Sequence, residues 1–156
     1  MLLNSILCQS PGALYGGALP VRATGFSFDS ERDALAAAGT PEHGRYCISL
    51  NGRWRFRYLE NPAELTDDDL DADCGAYDEI AVPGAWTVQG YDRPHYTNVK
   101  MPYDELSHVA AKKNPAGIYR TQFTVPETWQ DRRVILHFDG VESCFAVRVN
   151  GRDPPE

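Results

Sequence analysis

The chain has 156 residues, enough for one domain with a substantial core. Its 42% hydrophobic and 24% charged residues are typical of a globular protein and argue against a disordered one. The net charge of −7 makes nucleic acid and anionic membranes poor candidate partners, because an acidic surface repels phosphate groups.

The N-terminal 45 residues predict an extended arm with one short helix. Residues 1–7 are mildly apolar but lack the basic region of a signal peptide, and Leu7 occupies the place where a lipoprotein signal needs a small residue before Cys8. No run approaches the ~20 apolar residues of a membrane span, so we expect a cytoplasmic protein. The helix is predicted over residues 30–38, with Ser30 as its N-cap.

Period-two alternation begins after the arm. In residues 50–58, Trp54, Phe56 and Tyr58 alternate with arginines, which predicts a strand with one aromatic face and one arginine face. We interpret Trp54 as a core residue rather than a sugar-stacking one. A second short strand is predicted over residues 79–82, where a Pro-Gly pair ends it.

An acidic stretch surrounds this second strand. No Lys or Arg lies between Arg57 and Arg93, while ten carboxylates do: Glu60, Glu64, Asp67, Asp68, Asp69, Asp71, Asp73, Asp78, Glu79 and Asp92. A calcium loop is the alternative interpretation, but the ligand spacing and the glycine of an EF-hand are missing. The stretch therefore predicts a solvated acidic loop.

The four cysteines and four histidines are scattered along the chain. Zinc clusters need close ligand pairs, and no C-x-x-C pair is present, so no sequence-local metal site is expected. Four cysteines could form disulfides, but buried thiols of an intracellular chain explain them equally well.

Three further strands are predicted near the C-terminus, over residues 117–125, 133–138 and 143–149. The last ends at Asn150-Gly151, the strongest two-residue signal for a hairpin turn. Residues 152–156 are polar and contain two prolines, which makes them a poor return strand. The pattern therefore predicts an all-β sandwich that lacks part of its strand set and has an open edge.

Six motifs, taken in chain order, resemble the N-terminal sugar-binding jelly-roll domain of family 2 β-galactosidases. They are LNGRWRF at 50–56, VPGAW with QGYD at 82–92, PHYTNV with MPYD at 94–104, NPAGIY at 114–119, FDGVES at 138–143 and VNG at 149–151. The resemblance implies a galactose-binding-like β-sandwich over residues 46–151, preceded by the arm at 1–45 and followed by a tail at 152–156. Beyond Gly151 the sequence departs from the family pattern, so we expect a truncated domain.

The resemblance implies one substrate-contacting residue, Asn98. In the family, the loop carrying the Y-x-N-V motif reaches into the pocket of a separate catalytic barrel, and Val99 would be a neighbouring wall residue. An amide both donates and accepts hydrogen bonds, which suits a sugar hydroxyl. From the residues alone, the favoured interpretation of Asn98 is an asparagine that tolerates left-handed loop geometry, and only the resemblance favours substrate contact. Trp86 lies next to a turn, and we interpret it as a core residue in preference to a sugar-stacking one.

No catalytic residue is expected in this chain. A retaining glycosidase needs two carboxyl groups ~5–5.5 Å apart, and no carboxylate here lies in an acid/base or nucleophile motif. The resemblance places those groups, and the magnesium and sodium ligands of full-length relatives, outside this sequence, so no cofactor is expected. The chain is predicted to be inactive alone.

Three functions remain open at this point. The first is a non-catalytic part of a β-galactosidase-like hydrolase, with a catalytic barrel and a β-galactoside as partners. The second is a stand-alone carbohydrate-binding module, suggested by the aromatic residues between 85 and 104. The third is a structural piece of a homo-oligomer, suggested by the open edge.

Overall fold

The chain forms a small antiparallel β-sheet with little helix, which confirms the all-β prediction. A computed structural model describes residues 17–20, 23, 25–40, 44–66, 68–69, 76–94, 114–142 and 144–152. Three strands pair in the order β2-β1-β3, both pairings antiparallel. Their bounds are Gly52–Leu59 for β1, Asp78–Val82 for β2 and Ala116–Arg120 for β3.

Helix α1 spans Glu31–Ala36, within the predicted range. It begins at Ser30, whose Oγ accepts a hydrogen bond from the Asp33 amide at 3.2 Å, as an N-cap should. It ends in a turn where Gly39 has a φ of 110°, a conformation that a residue with a Cβ rarely adopts. None of its residues is buried, so α1 adds nothing to the core. No helix in the described part of the chain is long and apolar enough to cross a bilayer.

Three single-turn 3₁₀ helices complete the described elements, at Pro62–Glu64, Trp86–Val88 and Glu127–Trp129. The core among the described residues is small. Phe56 and Ile80 are fully buried, and Leu59 and Trp129 nearly so. Phe56 lies on the central strand and is paired in register with Tyr119 of β3, so these two side chains share one face of the sheet, while Leu59 lies on the opposite face.

The arm is attached to the rest of the fold through Tyr46. The guanidinium of Arg132 lies 4.1 Å from the centroid of the Tyr46 ring and donates a 3.1 Å hydrogen bond to its hydroxyl. Tyr46 in turn donates to Asp29, and this hydrogen bond lowers the pKa of the Asp29 carboxyl. All of these contacts are exposed to solvent, so they hold the arm only weakly.

The arginine face of the sheet is covered by two residues of the acidic stretch, Asp69 and Tyr77. Arg57 forms an ion pair with the carboxylate of Asp69, and Arg120 donates to the Asp69 carbonyl oxygen. The ring of Tyr77 lies 4.6 Å from the guanidinium of Arg55 and 5.2 Å from that of Arg120. Cation–π and ionic contacts therefore join the acidic stretch to the arginines of the sheet.

Asp69 corrects the prediction of a wholly solvated acidic loop. It is only 4% exposed, and its carboxylate accepts hydrogen bonds from the Thr66 hydroxyl at 2.7 Å and the Thr66 amide at 3.0 Å. These hydrogen bonds, followed by the charges of Arg57 and Arg120, lower the pKa of Asp69 even though burial opposes them. The acidic stretch thus contributes one buried anchor to the sheet.

The C-terminal part differs most from the sequence predictions. Strand β3 ends at Arg120 instead of residue 125, and residues 133–138 and 144–148 are not strands. A strand exists only where a neighbour supplies the other half of its hydrogen bonds, and no described segment pairs with these residues in a sheet.

The predicted Asn150-Gly151 turn is present. Both residues have positive φ, 52° and 71°, as a two-residue hairpin turn of this kind requires. Val149 and Arg152 exchange backbone hydrogen bonds of 2.9 and 3.1 Å across it. The turn depends on local chemistry, because it forms although the described residues before it, 144–148, are not a strand.

Candidate functional site

The segment from Pro83 to Pro94 folds back over the sheet and leads toward the predicted substrate loop. It starts with a cis peptide bond between Val82 and Pro83. Gly84 then passes so close to its neighbours that a Cβ there would lie 2.7 Å from Nε2 of Gln89 and 3.0 Å from the Ala81 carbonyl oxygen. A side chain at this position would therefore displace the Gln89 amide and press against the Ala81 carbonyl.

The side chain of Gln89 fastens this segment to β2. Its Oε1 accepts from the Ala81 amide at 2.8 Å, and its Nε2 donates to the Ala81 carbonyl at 3.0 Å. A primary amide presents the same donor and acceptor as a peptide group, so Gln89 takes the place of a neighbouring strand at the outer edge of β2. The edge is thereby closed at this residue.

Two aromatic residues of the segment cover the apolar face of the sheet. The centroid of the Tyr91 ring lies 4.7 Å from that of Phe56 in an edge-on arrangement, and the Trp86 centroid lies 6.0 Å from it. The Tyr58 ring also contacts Trp86 and Tyr91, with centroid distances of 6.0 and 6.1 Å. Tyr119 of β3 completes the cluster at 4.8 Å from Phe56. Such pairs contribute beyond the area they bury.

Gly117 makes this packing possible. A Cβ at this position would lie 2.6 Å from Cε2 of Phe56 and 2.6 Å from Cζ3 of Trp86. Because both atoms belong to packed rings, neither could move away without opening the cluster. The glycine of the NPAGIY motif is therefore required for close packing in the aromatic cluster.

Tyr91 also has a polar contact at the rim of the cluster. Its hydroxyl donates a 2.8 Å hydrogen bond to the carboxylate of Asp78, at the start of β2. This hydrogen bond is the main reason that the pKa of Tyr91 is raised. Tyr91 is thereby oriented from both ends, by its ring and by its hydroxyl. The segment that leads to the predicted substrate loop is therefore fixed to the sheet as far as this residue.

The two predicted site residues, Asn98 and Val99, lie outside the described residues, and their role stays a prediction. The structure does place the two tryptophans. Trp86 is half-buried in the aromatic cluster, and the indole N–H of Trp54 donates to the Leu50 carbonyl at 2.7 Å. The position of Trp86 agrees with the core-packing interpretation, and for Trp54 that interpretation stays a prediction.

The described residues show no catalytic or metal-binding arrangement. No group of three His, Cys, Asp or Glu side chains among them could hold a metal ion. The two carboxyl groups with shifted pKa values, Asp29 and Asp69, are both shifted downward. A general acid of a glycosidase needs a raised pKa, so neither suits that role.

Comparison with known proteins identifies the family. The sequence model named "Glycosyl hydrolases family 2, sugar binding domain" matches residues 47–154. The chain belongs to glycosyl hydrolase family 2. This confirms the resemblance inferred from the six motifs, and the three strands and the aromatic cluster all lie within the matched residues.

Two curated relatives are β-galactosidases. A β-galactosidase of Psychromonas ingrahamii is 41% identical over 104 residues, which cover 65% of this chain and 10% of the relative. β-Galactosidase 2 of Enterobacter cloacae is 34% identical over 157 aligned residues, which cover 97% of this chain and 15% of the relative. The family 2 chain therefore spans between about a tenth and a seventh of the length of these relatives.

Sequence reasoning missed the roles of Gln89 and Asp69. Gln89 lies in the QGYD motif, yet a single sequence does not distinguish an amide that binds backbone from one that faces solvent. Asp69 is one of three consecutive aspartates, and only Thr66 three residues earlier hinted at a local hydrogen-bonding turn.

Proposed function

We propose that this chain is the sugar-binding-type domain of a β-galactosidase that hydrolyses terminal β-D-galactosides, with the reaction carried by a separate catalytic domain. The family match over residues 47–154 carries the proposal, and the names of the two relatives supply the substrate class. A cytoplasmic location stays a prediction from the sequence.

The contribution of this domain to the substrate pocket is the loop that holds Asn98. The rigid mounting of residues 83–91 supports this role, because a pocket loop must be held in place at its base to bind without a large entropic cost. The Asn98 amide would hydrogen-bond a galactosyl hydroxyl, with Val99 beside it. The described residues do not fit the magnesium and sodium sites expected for full-length relatives, and no step is assigned to a metal.

A chimera tests this proposal. The chain would replace the matching region of the Enterobacter cloacae enzyme, which aligns with 97% of it. The chimera should hydrolyse a chromogenic galactoside, and Asn98→Ala should lower its kcat/KM by roughly 10- to 100-fold, since a sugar hydroxyl would lose its partner. The matched control is Gln122→Ala, an exposed amide two residues after the end of β3, which should leave kcat/KM unchanged.

Two outcomes would contradict the proposal. Equal activity of the Asn98→Ala and control chimeras would remove Asn98 from the pocket. Hydrolysis by the purified 156-residue chain alone would show that it holds its own catalytic groups.

A stand-alone carbohydrate-binding module is the second candidate, and the structure disfavours it. Trp86 and Tyr91 are the described aromatic residues of the 85–94 segment. Their rings pack in the cluster on the sheet. We expect no saturable heat when the chain is titrated calorimetrically with millimolar galactose or lactose. A saturable signal would favour the module instead.

A further inference from the structure

Tyr91 is held to the fold at three separate points. Its ring packs edge-on against Phe56, its backbone amide donates a 3.2 Å hydrogen bond to the Trp86 carbonyl, and its hydroxyl donates a 2.8 Å hydrogen bond to Asp78. A group that is fixed at a single point can still rotate, whereas contacts to the backbone, the ring and the hydroxyl together also fix its orientation. Both the position and the orientation of Tyr91 are therefore set by the fold.

The carboxylate of Asp78 is a suitable point of attachment. Asp78 begins β2 and is paired in register with Phe56 of the central strand. The ring of Tyr91 and its hydroxyl therefore contact two residues that lie opposite each other in the same sheet. A movement of the segment relative to the sheet would disturb both contacts.

The backbone on either side of Tyr91 depends on such contacts. Gly90 has a φ of 99° and Asp92 a φ of 54°, so the residues before and after Tyr91 both lie in the left-handed region. This region is unfavourable for a residue with a Cβ, although aspartate tolerates it better than most, and it persists where the surroundings impose it. The direction in which the chain leaves Tyr91 is therefore set by tertiary contacts and not by local preference.

The place of Tyr91 in the chain relates this anchor to the predicted substrate contact. Asn98 lies sixteen residues after Val82, the last residue of β2, but only seven residues after Tyr91. The conformational freedom of a residue grows with the length of chain between it and a fixed point. The anchor at Tyr91 leaves fewer than half as many residues between Asn98 and a fixed point on the sheet.

The ring and the hydroxyl of Tyr91 have separable roles. The ring belongs to the packed aromatic cluster, and its apolar contacts stabilise the fold. The hydrogen bond to Asp78 is exposed to solvent, so it contributes little to the free energy of unfolding. It is nevertheless directional, and it selects one orientation of the segment. Removal of the hydroxyl should therefore change the orientation of the segment while the ring preserves the fold.

We propose that Tyr91 is a positioning residue for the galactoside: its hydrogen bond to Asp78 orients the segment that carries Asn98 and thereby places the Asn98 amide against the sugar. Tyr91 does not touch the substrate and acts through Asn98. This inference rests on the proposed function, because it needs Asn98 to contact the sugar. A contact group that is already in place binds with a smaller loss of conformational entropy.

Tyr91→Phe, which removes the hydroxyl and keeps the ring, tests the proposal in the chimera with the Enterobacter cloacae enzyme. It should lower kcat/KM for a chromogenic galactoside by roughly 3- to 10-fold. When Asn98 is already alanine, the same substitution should change kcat/KM by less than about 2-fold, because the group that Tyr91 positions is then absent. The difference between the two backgrounds separates positioning from a general loss of structure.

The acceptor of the hydrogen bond provides a second measurement. Asp78→Ala should lower kcat/KM as much as Tyr91→Phe does, whereas Asp78→Asn keeps an acceptor oxygen and should retain most of the activity. The matched control is Tyr119→Phe, which removes a hydroxyl from another tyrosine that packs on Phe56 but lies on β3, outside the segment. It should leave kcat/KM unchanged. The thermal midpoint of every variant should stay within about 2 °C of that of the unaltered chimera.

Three outcomes would overturn the proposal, and they differ in what else they contradict. Full activity of Asn98→Ala would contradict the proposed function and this inference together. A loss of activity in Asn98→Ala without a loss in Tyr91→Phe would remove only the positioning role of Tyr91. An equal effect of Tyr91→Phe in the presence and absence of Asn98 would show that Tyr91 acts on another part of the enzyme.

Discussion

Residues 52–59 and residues 133–138 are both rich in strand-forming side chains, yet only the first run lies within a sheet. Strand β1 has a partner on each side and buries Phe56 completely. Val134, Ile135 and Leu136 are between 38% and 49% exposed and have no described strand beside them. Side-chain pattern makes a segment able to form a strand, and neighbours decide whether it does.

The difference also separates two kinds of apolar residue. Phe56 and Tyr58 of β1 contact the rings of Trp86 and Tyr91. The turn at Pro83 and the hydrogen bonds of Gln89 bring these two rings back over the sheet. Those after Arg120 have no such cover among the described residues. The sheet is therefore expected to carry most of the folding free energy, and the apolar side chains after Arg120 are expected to contribute less.

The largest effect is expected from removing the central ring. Phe56→Ala should lower the free energy of unfolding by about 4 kcal/mol, because it deletes a fully buried ring that contacts three other aromatic side chains. Phe145→Ala, at a residue 51% exposed, should cost less than about 1 kcal/mol. Urea denaturation below 1 µM protein, followed by tryptophan fluorescence, measures both. Similar losses would mean that the two regions are equally structural.

Overpacking the cluster should be nearly as damaging. Gly117→Ala should cost about 3 kcal/mol, because its Cβ would lie 2.6 Å from atoms of two packed rings. Gly140→Ala is the control, since a Cβ there meets nothing within 4 Å, and it should change stability by less than about 0.5 kcal/mol. Chemical denaturation again gives the values. A tolerated Gly117→Ala would show that Trp86 is loosely held.

The buried anchor on the arginine face should have a smaller, pH-dependent effect. Asp69→Asn should cost about 2 kcal/mol at neutral pH, since it leaves Arg57 without its ion pair, although Arg57 is partly screened by solvent. The neighbouring exposed Asp68→Asn should be nearly neutral.

The sign of the pH dependence follows from the lowered pKa of Asp69. The unfolded state, with a pKa of 3.8, binds a proton before the folded state does. The stabilisation is thus fully present above pH 3.8 and is lost as the pH falls through the lower pKa of the folded protein. Denaturation of the unaltered chain and of both variants is measured from pH 7 to pH 2. The free energy of unfolding should fall more steeply with acid in the unaltered chain than in Asp69→Asn. Parallel curves would count against the anchor.

The smallest effect is expected at the edge of β2. Gln89→Ala removes two hydrogen bonds to the Ala81 backbone and should cost about 1.5 kcal/mol. Gln122→Ala, exposed and after β3, should cost less than about 0.5 kcal/mol. Hydrogen exchange of the Ala81 amide gives a local readout, and it should accelerate only in Gln89→Ala. Unchanged protection would mean that the amide is shielded by another group.

Several features were predictable because they depend on neighbours close in sequence. Alternating residues 54–58 predicted the aromatic and arginine faces of β1, Ser30 predicted the start of α1, and Asn150-Gly151 predicted a turn with two positive φ angles. The order of the motifs predicted the family. The substrate-contacting residue was not predictable from local pattern, because the role of Asn98 depends on the resemblance alone.

The sequence by itself determined the family, the antiparallel β class and the positions of the turns, because motif order, period-two alternation and turn residues are local properties of the chain. Only the tertiary structure decided which apolar runs became strands, which carboxylate was buried and which amide closed the sheet edge. Each of these depends on a partner distant in sequence, such as Arg57 for Asp69 and Ala81 for Gln89. A hydrogen bond or a buried contact needs two residues, and only folding brings residues that are distant in sequence together.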